Sequence, residues 1–123
     1  MSSDLAQAVR VTLEVQARSG QTVTYRDLAA AVPVPPPHSI HKLTLALEDL
    51  VREDHAAGRP LIAALAVSRV GDGIPGQGFF HLLTTLGRYA GPDRGAAAAE
   101  AHATELRAAL AYWSAGSHAK VEL

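Results

Sequence analysis

Cysteine is absent from these 123 residues. That excludes disulfides, thiolate nucleophiles and cysteine-ligated metals, and it fits a reducing compartment. Aromatic side chains are scarce, at 5%. A core must therefore be aliphatic, and much of the 48% hydrophobic share is alanine. Neither sign of charge dominates: 11 Lys and Arg face 12 Asp and Glu, for a net charge of −1. No global field draws the chain to nucleic acid or a membrane surface, so any polyanion site must be a local patch. No apolar run approaches the ~20 residues that span a bilayer. Met1-Ser-Ser-Asp-Leu5 lacks the basic start and apolar core of a secretory signal. A cytoplasmic protein with no membrane partner is the expectation. The alanine and arginine richness points to a GC-rich bacterial or phage genome.

What is present is punctuation. Ser2 or Ser3 can cap a first helix with Asp4 in its first turn. Leu5, Ala8, Val11 (or Thr12) and Val15 recur along it at helical spacing, and Ser19-Gly20 ends it. Gln21-Thr22-Val23 is short and β-prone. Thr24 caps a second helix over residues 25–32, with Asp27 three residues on, and Pro33-Val-Pro-Pro-Pro37 breaks it. His38 or Ser39 opens a third helix. Its inner face is Ile40, Leu43, Leu47, Leu50 (or Val51) and Asp54; its outer face is His41, Lys42, Leu45, Glu48, Asp49 and Arg52. Gly58 and Pro60 stop it.

The apolar run Leu61–Val70 then reads as a strand. It enters a glycine-rich turn, Gly71-Asp-Gly-Ile-Pro-Gly76, and returns through Phe79 and Phe80. A fourth helix is expected over His81–Tyr89, with Leu82, Leu83 and Leu86 as its stripe. Gly91–Gly95 is a linker turn. A last helix runs from Ala96 to Trp113, with Ala99, Ala103, Leu106, Leu110 and Trp113 inward. The fold class that follows is α+β: a winged helix-turn-helix-like domain, three helices plus a β-hairpin wing, with additional C-terminal helices. The length fits a single domain over residues 1–123. Its winged-helix core covers 3–90 and its C-terminal helix 95–114. The hairpin should centre on Gly71–Gly76 and pack against the helices at 25–32 and 40–57.

Chemistry-bearing patterns are few. His38 and His41, two of six histidines, are three residues apart, but no His-Glu-x-x-His spacing or third ligand accompanies them, so no metal site is expected. Ser68 lacks the Gly-x-Ser-x-Gly elbow of a hydrolase, and the glycines at 71, 73, 76 and 78 do not open a dinucleotide-binding helix. No cofactor and no enzymatic activity are expected. Phe79 and Phe80 are two of six aromatics. Alternation on a strand would bury one and turn the other partly outward.

Two segments together resemble the DNA-binding domain of alkylguanine DNA alkyltransferases and their non-catalytic alkyltransferase-like relatives. Gly20-Gln-Thr-Val-Thr-Tyr-Arg-Asp-Leu-Ala-Ala30 is similar to the family's glycine, short strand and Tyr-x-x-Leu/Ile-Ala entry to the helix-turn-helix. Ala66-Val-Ser-Arg-Val70 stands where that family has Pro-Cys-His-Arg-Val. The similarity spans roughly residues 20–88. The nucleophilic cysteine's position falls on Val67 and its histidine partner's on Ser68, which excludes alkyl transfer. The family's arginine finger falls near His41, and its hinge asparagine has no counterpart around Gly58-Arg59-Pro60. The resemblance implies Tyr25 as a phosphate contact and Arg69 as a strand residue.

The leading expectation is a non-enzymatic, regulatory or phage-related protein that binds duplex DNA. His41, Lys42, Arg52 and Arg69 would then form one positive surface with Tyr25 at its edge. The alternative is a protein-interaction module, a homodimer or an inhibitor or adaptor, using Ile74, Phe79, Phe80 and the Pro33–Pro37 loop. The acidic Glu48, Asp49 and Glu53 on the third helix oppose a phosphate approach. A basic stripe or an apolar patch around that helix decides between the two.

Overall fold

The computed structural model describes residues 3–68 and 73–114. Along them run α1 (Asp4–Ser19), β1 (Val23–Thr24), α2 (Tyr25–Ala31), α3 (Ser39–Ala57), a 3₁₀ turn (Ile62–Leu65), β2 (Ala66–Val67), α4 (Gln77–Thr85) and α5 (Gly95–Trp113). The helix ends follow the capping residues. The Ser3 hydroxyl accepts from the Ala6 N–H at 3.1 Å, and the Thr24 hydroxyl accepts from the Asp27 N–H at 3.1 Å. Gly20 and Gly58 close α1 and α3 in the left-handed conformation, at φ 76° and 73°.

Among the described residues no β-hairpin wing is shown. Among the described residues the only sheet has two strands, β1 and β2, and they run parallel with Val23 opposite Ala66 and Thr24 opposite Val67. Val23–Thr24 is thus joined to β2 by a crossover through α2 and α3 rather than by a hairpin turn. The expected strand over 61–70 is instead a 3₁₀ turn and two strand residues, and every residue from Leu61 to Val67 is buried. The physical reason is burial on all sides. A hairpin strand with one wet face alternates apolar and polar residues, whereas Leu61-Ile-Ala-Ala-Leu-Ala-Val67 has no polar position to turn outward. The run threads the middle of the helices and packs against α1, α3 and α5. Arg69 and the first half of the expected turn, residues 69–72, lie outside the described residues.

The returning strand is also corrected. Phe79 and Phe80 lie in α4, which starts at Gln77, four residues before the expected helix. On a helix, adjacent residues are not forced to opposite faces, and both rings are buried, with 8% and 1% exposed. They meet edge to face at 5.4 Å between centroids; Phe79 also abuts His102 on α5, and Phe80 abuts Tyr89. Neither ring is available as the outward partner contact expected of one of them. Ile74 is half-buried against the core.

Two helical stripes are rotated from expectation. The buried face of α1 is Ala6, Val9, Leu13 and Ala17, while Val11 and Val15 stand 60% and 58% exposed. In α5 the buried residues are Ala98, His102, Ala109 and Trp113, and Ala103 is exposed. Ile40, expected inward on α3, is 45% exposed at its first turn.

A buried polar knot ties these layers together. Asp54, fully buried on α3, lies 2.9 Å from the Arg10 guanidinium of α1 and 3.0 Å from that of Arg59. Its second oxygen accepts the Ile62 N–H at 3.1 Å, which fixes the start of the 3₁₀ turn. The Trp113 indole sits 5.4 Å from the Arg10 guanidinium and 6.0 Å from that of Arg59, and its N–H donates to the Pro60 carbonyl at 2.9 Å. One carboxylate thus joins α1, α3 and the loop into the core, with the end of α5 laid over the pair of guanidiniums.

Candidate interaction face

The outer face of α3 holds most of the residues that the sequence singles out. It follows from the helix itself. Leu43, Ala46, Leu47, Leu50, Val51 and Asp54 point into the core, which leaves His41, Leu45 and Arg52 along the opposite side. Leu45 is 49% exposed, a large apolar side chain at the middle of that side. Ile40, exposed at the first turn, lies about 140° away around the helix and belongs to a different side. The entry to the helix is unusual: His38 takes a left-handed conformation at φ 60° and supplies no side-chain cap.

The basic residues on this face are largely engaged. Arg52 lies 3.8 Å from a Glu48 oxygen and 3.5 Å from an Asp49 oxygen, so two carboxylates surround one guanidinium. The Lys42 ammonium donates to the Pro35 carbonyl at 3.1 Å, which ties the proline loop to α3. His41 is exposed. Tyr25, at the start of α2, is half-buried, and its hydroxyl accepts the Gly76 N–H at 2.7 Å. Burial pushes its phenol above the ordinary range, with the Gly76 hydrogen bond opposing that shift. Its oxygen is aimed at the loop before α4 and serves as an anchor there.

No protein family, curated protein or solved structure matches this chain. The site is therefore read from its own chemistry.

Beside the face, Tyr25, Thr44, Leu47, Glu48, Val51, Ala63, Phe79 and Leu82 line a cleft of about 20 Å³. That is room for roughly one water. Glu48 comes close to α4: a Cβ at Gly78 would stand 3.2 Å from a Glu48 oxygen, a tight contact that a small shift of that side chain relieves. Glu48 and Tyr25 together bring the start of α4 against α2 and α3. Among the described residues no three histidine, aspartate or glutamate side chains are placed to hold a metal ion. No described helix is long and apolar enough to cross a membrane.

The sequence reading placed Leu45 on the outer face but weighed only the charged residues around it. It missed the exposure of Ile40, Val11 and Val15. One signal was available for α1: Asp4, Val11 and Arg18 stand seven residues apart, which puts them on one line along the helix.

Proposed function

We propose that this chain is a non-enzymatic protein-interaction module that binds a partner protein through the outer face of α3. The observation that carries the reading is the exposure of Leu45, 49%, beside an Arg52 already flanked by Glu48 and Asp49. An apolar centre with a polar rim is the composition that protein interfaces favour. Glu48 and Asp49 balance Lys42 and Arg52, so the face carries no net positive charge to draw phosphate, and it suits a partner that offers apolar side chains.

Duplex DNA is the competing ligand, favoured by His41 and Lys42 near the start of α3. The two readings separate by salt dependence. Fluorescence anisotropy with labelled duplex DNA at low ionic strength is expected to show no binding. Saturable binding that falls steeply with salt, and that weakens in Lys42→Ala with a flatter slope, would replace the protein partner with DNA.

A further inference from the structure

The outer face of α1 is a second surface, independent of α3. Val11 and Val15 lie one helical turn apart on it, 60% and 58% exposed, and they are two of the most exposed large apolar side chains among the described residues. Asp4 lies in the first turn of the same helix and Arg18 in the last. At 100° per residue, Asp4, Val11 and Arg18 fall within about 20° of one line. Val15 lies about 40° to one side. Asp4 and Val11 are roughly 10 Å apart along the axis, as are Val11 and Arg18. Among the described residues neither Asp4 nor Arg18 makes an ion pair within the chain.

This arrangement is complementary to its own reverse. A two-fold axis through Val11 sets a second α1 antiparallel to the first. Val11 then meets Val11 of the other copy, and each Asp4 faces the Arg18 of the other copy. The same operation lays the start of each helix, with its positive dipole end, beside the negative end of its partner. An isologous contact needs residue i opposite j and j opposite i, and the acid–valine–base line supplies that. A parallel pairing would instead set Asp4 against Asp4 and Arg18 against Arg18.

We propose that the outer face of α1 is a homodimer interface, in which two copies of this chain pair their first helices antiparallel about Val11. The contact is small and mostly one helix wide, so the dimer forms reversibly and in a concentration-dependent way.

Sedimentation velocity over a range of protein concentrations tests this, with charge swaps as the decisive variants. The native chain is expected to shift from monomer to dimer as concentration rises. Asp4→Arg alone and Arg18→Asp alone each create two like-charge pairs and should weaken the dimer about tenfold. Asp4→Arg with Arg18→Asp re-forms both pairs in reverse and should restore it. Val11→Glu sets two carboxylates on the axis and should abolish it, while thermal unfolding at dilutions where the native chain is monomeric stays where it was, because Val11 is not in the core. A native chain that is monomeric throughout, a dimer that survives Val11→Glu, or a double swap that fails to restore association would each overturn the proposal.

Discussion

The Arg10 guanidinium and the Asp54 carboxylate meet at 2.9 Å inside the protein, with Asp54 fully buried. Asp54 also receives Arg59 and the Ile62 N–H, so its removal strands the Arg59 cation and a backbone donor and leaves Arg10 with Glu53 alone, 3.1 Å away. Arg59 is the more exposed of the two, with 35% of its side chain accessible, and water can partly rescue it. Asp54→Ala is expected to destabilise the fold by about 3 kcal/mol, toward the lower end of broken buried pairs. Urea unfolding followed by Trp113 fluorescence measures this, because Trp113 is the single tryptophan and sits over both guanidiniums.

This knot also marks where the sequence stops being legible. Ser3, Gly20, Thr24 and Gly58 act through their own neighbours, so the ends of α1 and α3 and the start of α2 can be read from local grammar. Arg10 and Asp54 belong to different helices, and nothing local to either announces the other. The inner stripe of α1 was ambiguous for a related reason. Val9 and Leu13 point inward while Val11 and Val15 point outward, so both faces carry apolar residues and periodicity cannot choose between them. The wing failed at Leu61–Val67, where a run buried on every side fits a strand or a tight helical turn equally well. At the candidate site, Leu45 was placed correctly on the outer side of α3, and the pairing of Arg52 with Glu48 and Asp49 was foreshadowed by their spacing. The inward turn of the Tyr25 hydroxyl to Gly76 was not, because it joins residues distant in sequence.

Trp113→Phe keeps an aromatic over the guanidiniums but loses the N–H donated to the Pro60 carbonyl. The expected cost is about 1 kcal/mol, one hydrogen bond with some loss of ring contact. Thermal unfolding by circular dichroism should show a lower Tm with the helix content of the folded state unchanged.

His102 makes stability depend on pH. It is buried on α5, and its Nε2–H donates to the Ala64 carbonyl at 2.8 Å. Burial lowers its pKa below the ordinary 6.5, against the opposing pull of that hydrogen bond and of Glu105. The folded state therefore favours the neutral ring. Its contribution is fully present above pH 6.5 and is lost as pH falls through the lowered folded value. Unfolding free energy should be smaller at about pH 5.5 than at about pH 7.5. His102→Gln, which keeps a donor but does not titrate, should show a weaker dependence over that interval.

Tyr25→Phe removes the acceptor for the Gly76 N–H. The expected cost is about 1 kcal/mol, because a part-buried donor loses its partner. Native-state hydrogen exchange should show the Gly76 amide losing protection in the variant, while amides in the middle of α1 exchange as before. A spectrophotometric titration should also lose a phenol that ionises above pH 10.

The claim that α3 presents a protein-binding face is tested most directly by placing a photo-crosslinking amino acid at position 45 in living cells. After irradiation, the adduct is divided between protease and nuclease. The account predicts an adduct that collapses with protease and is unchanged by nuclease. An adduct that nuclease removes would contradict it and assign the face to nucleic acid.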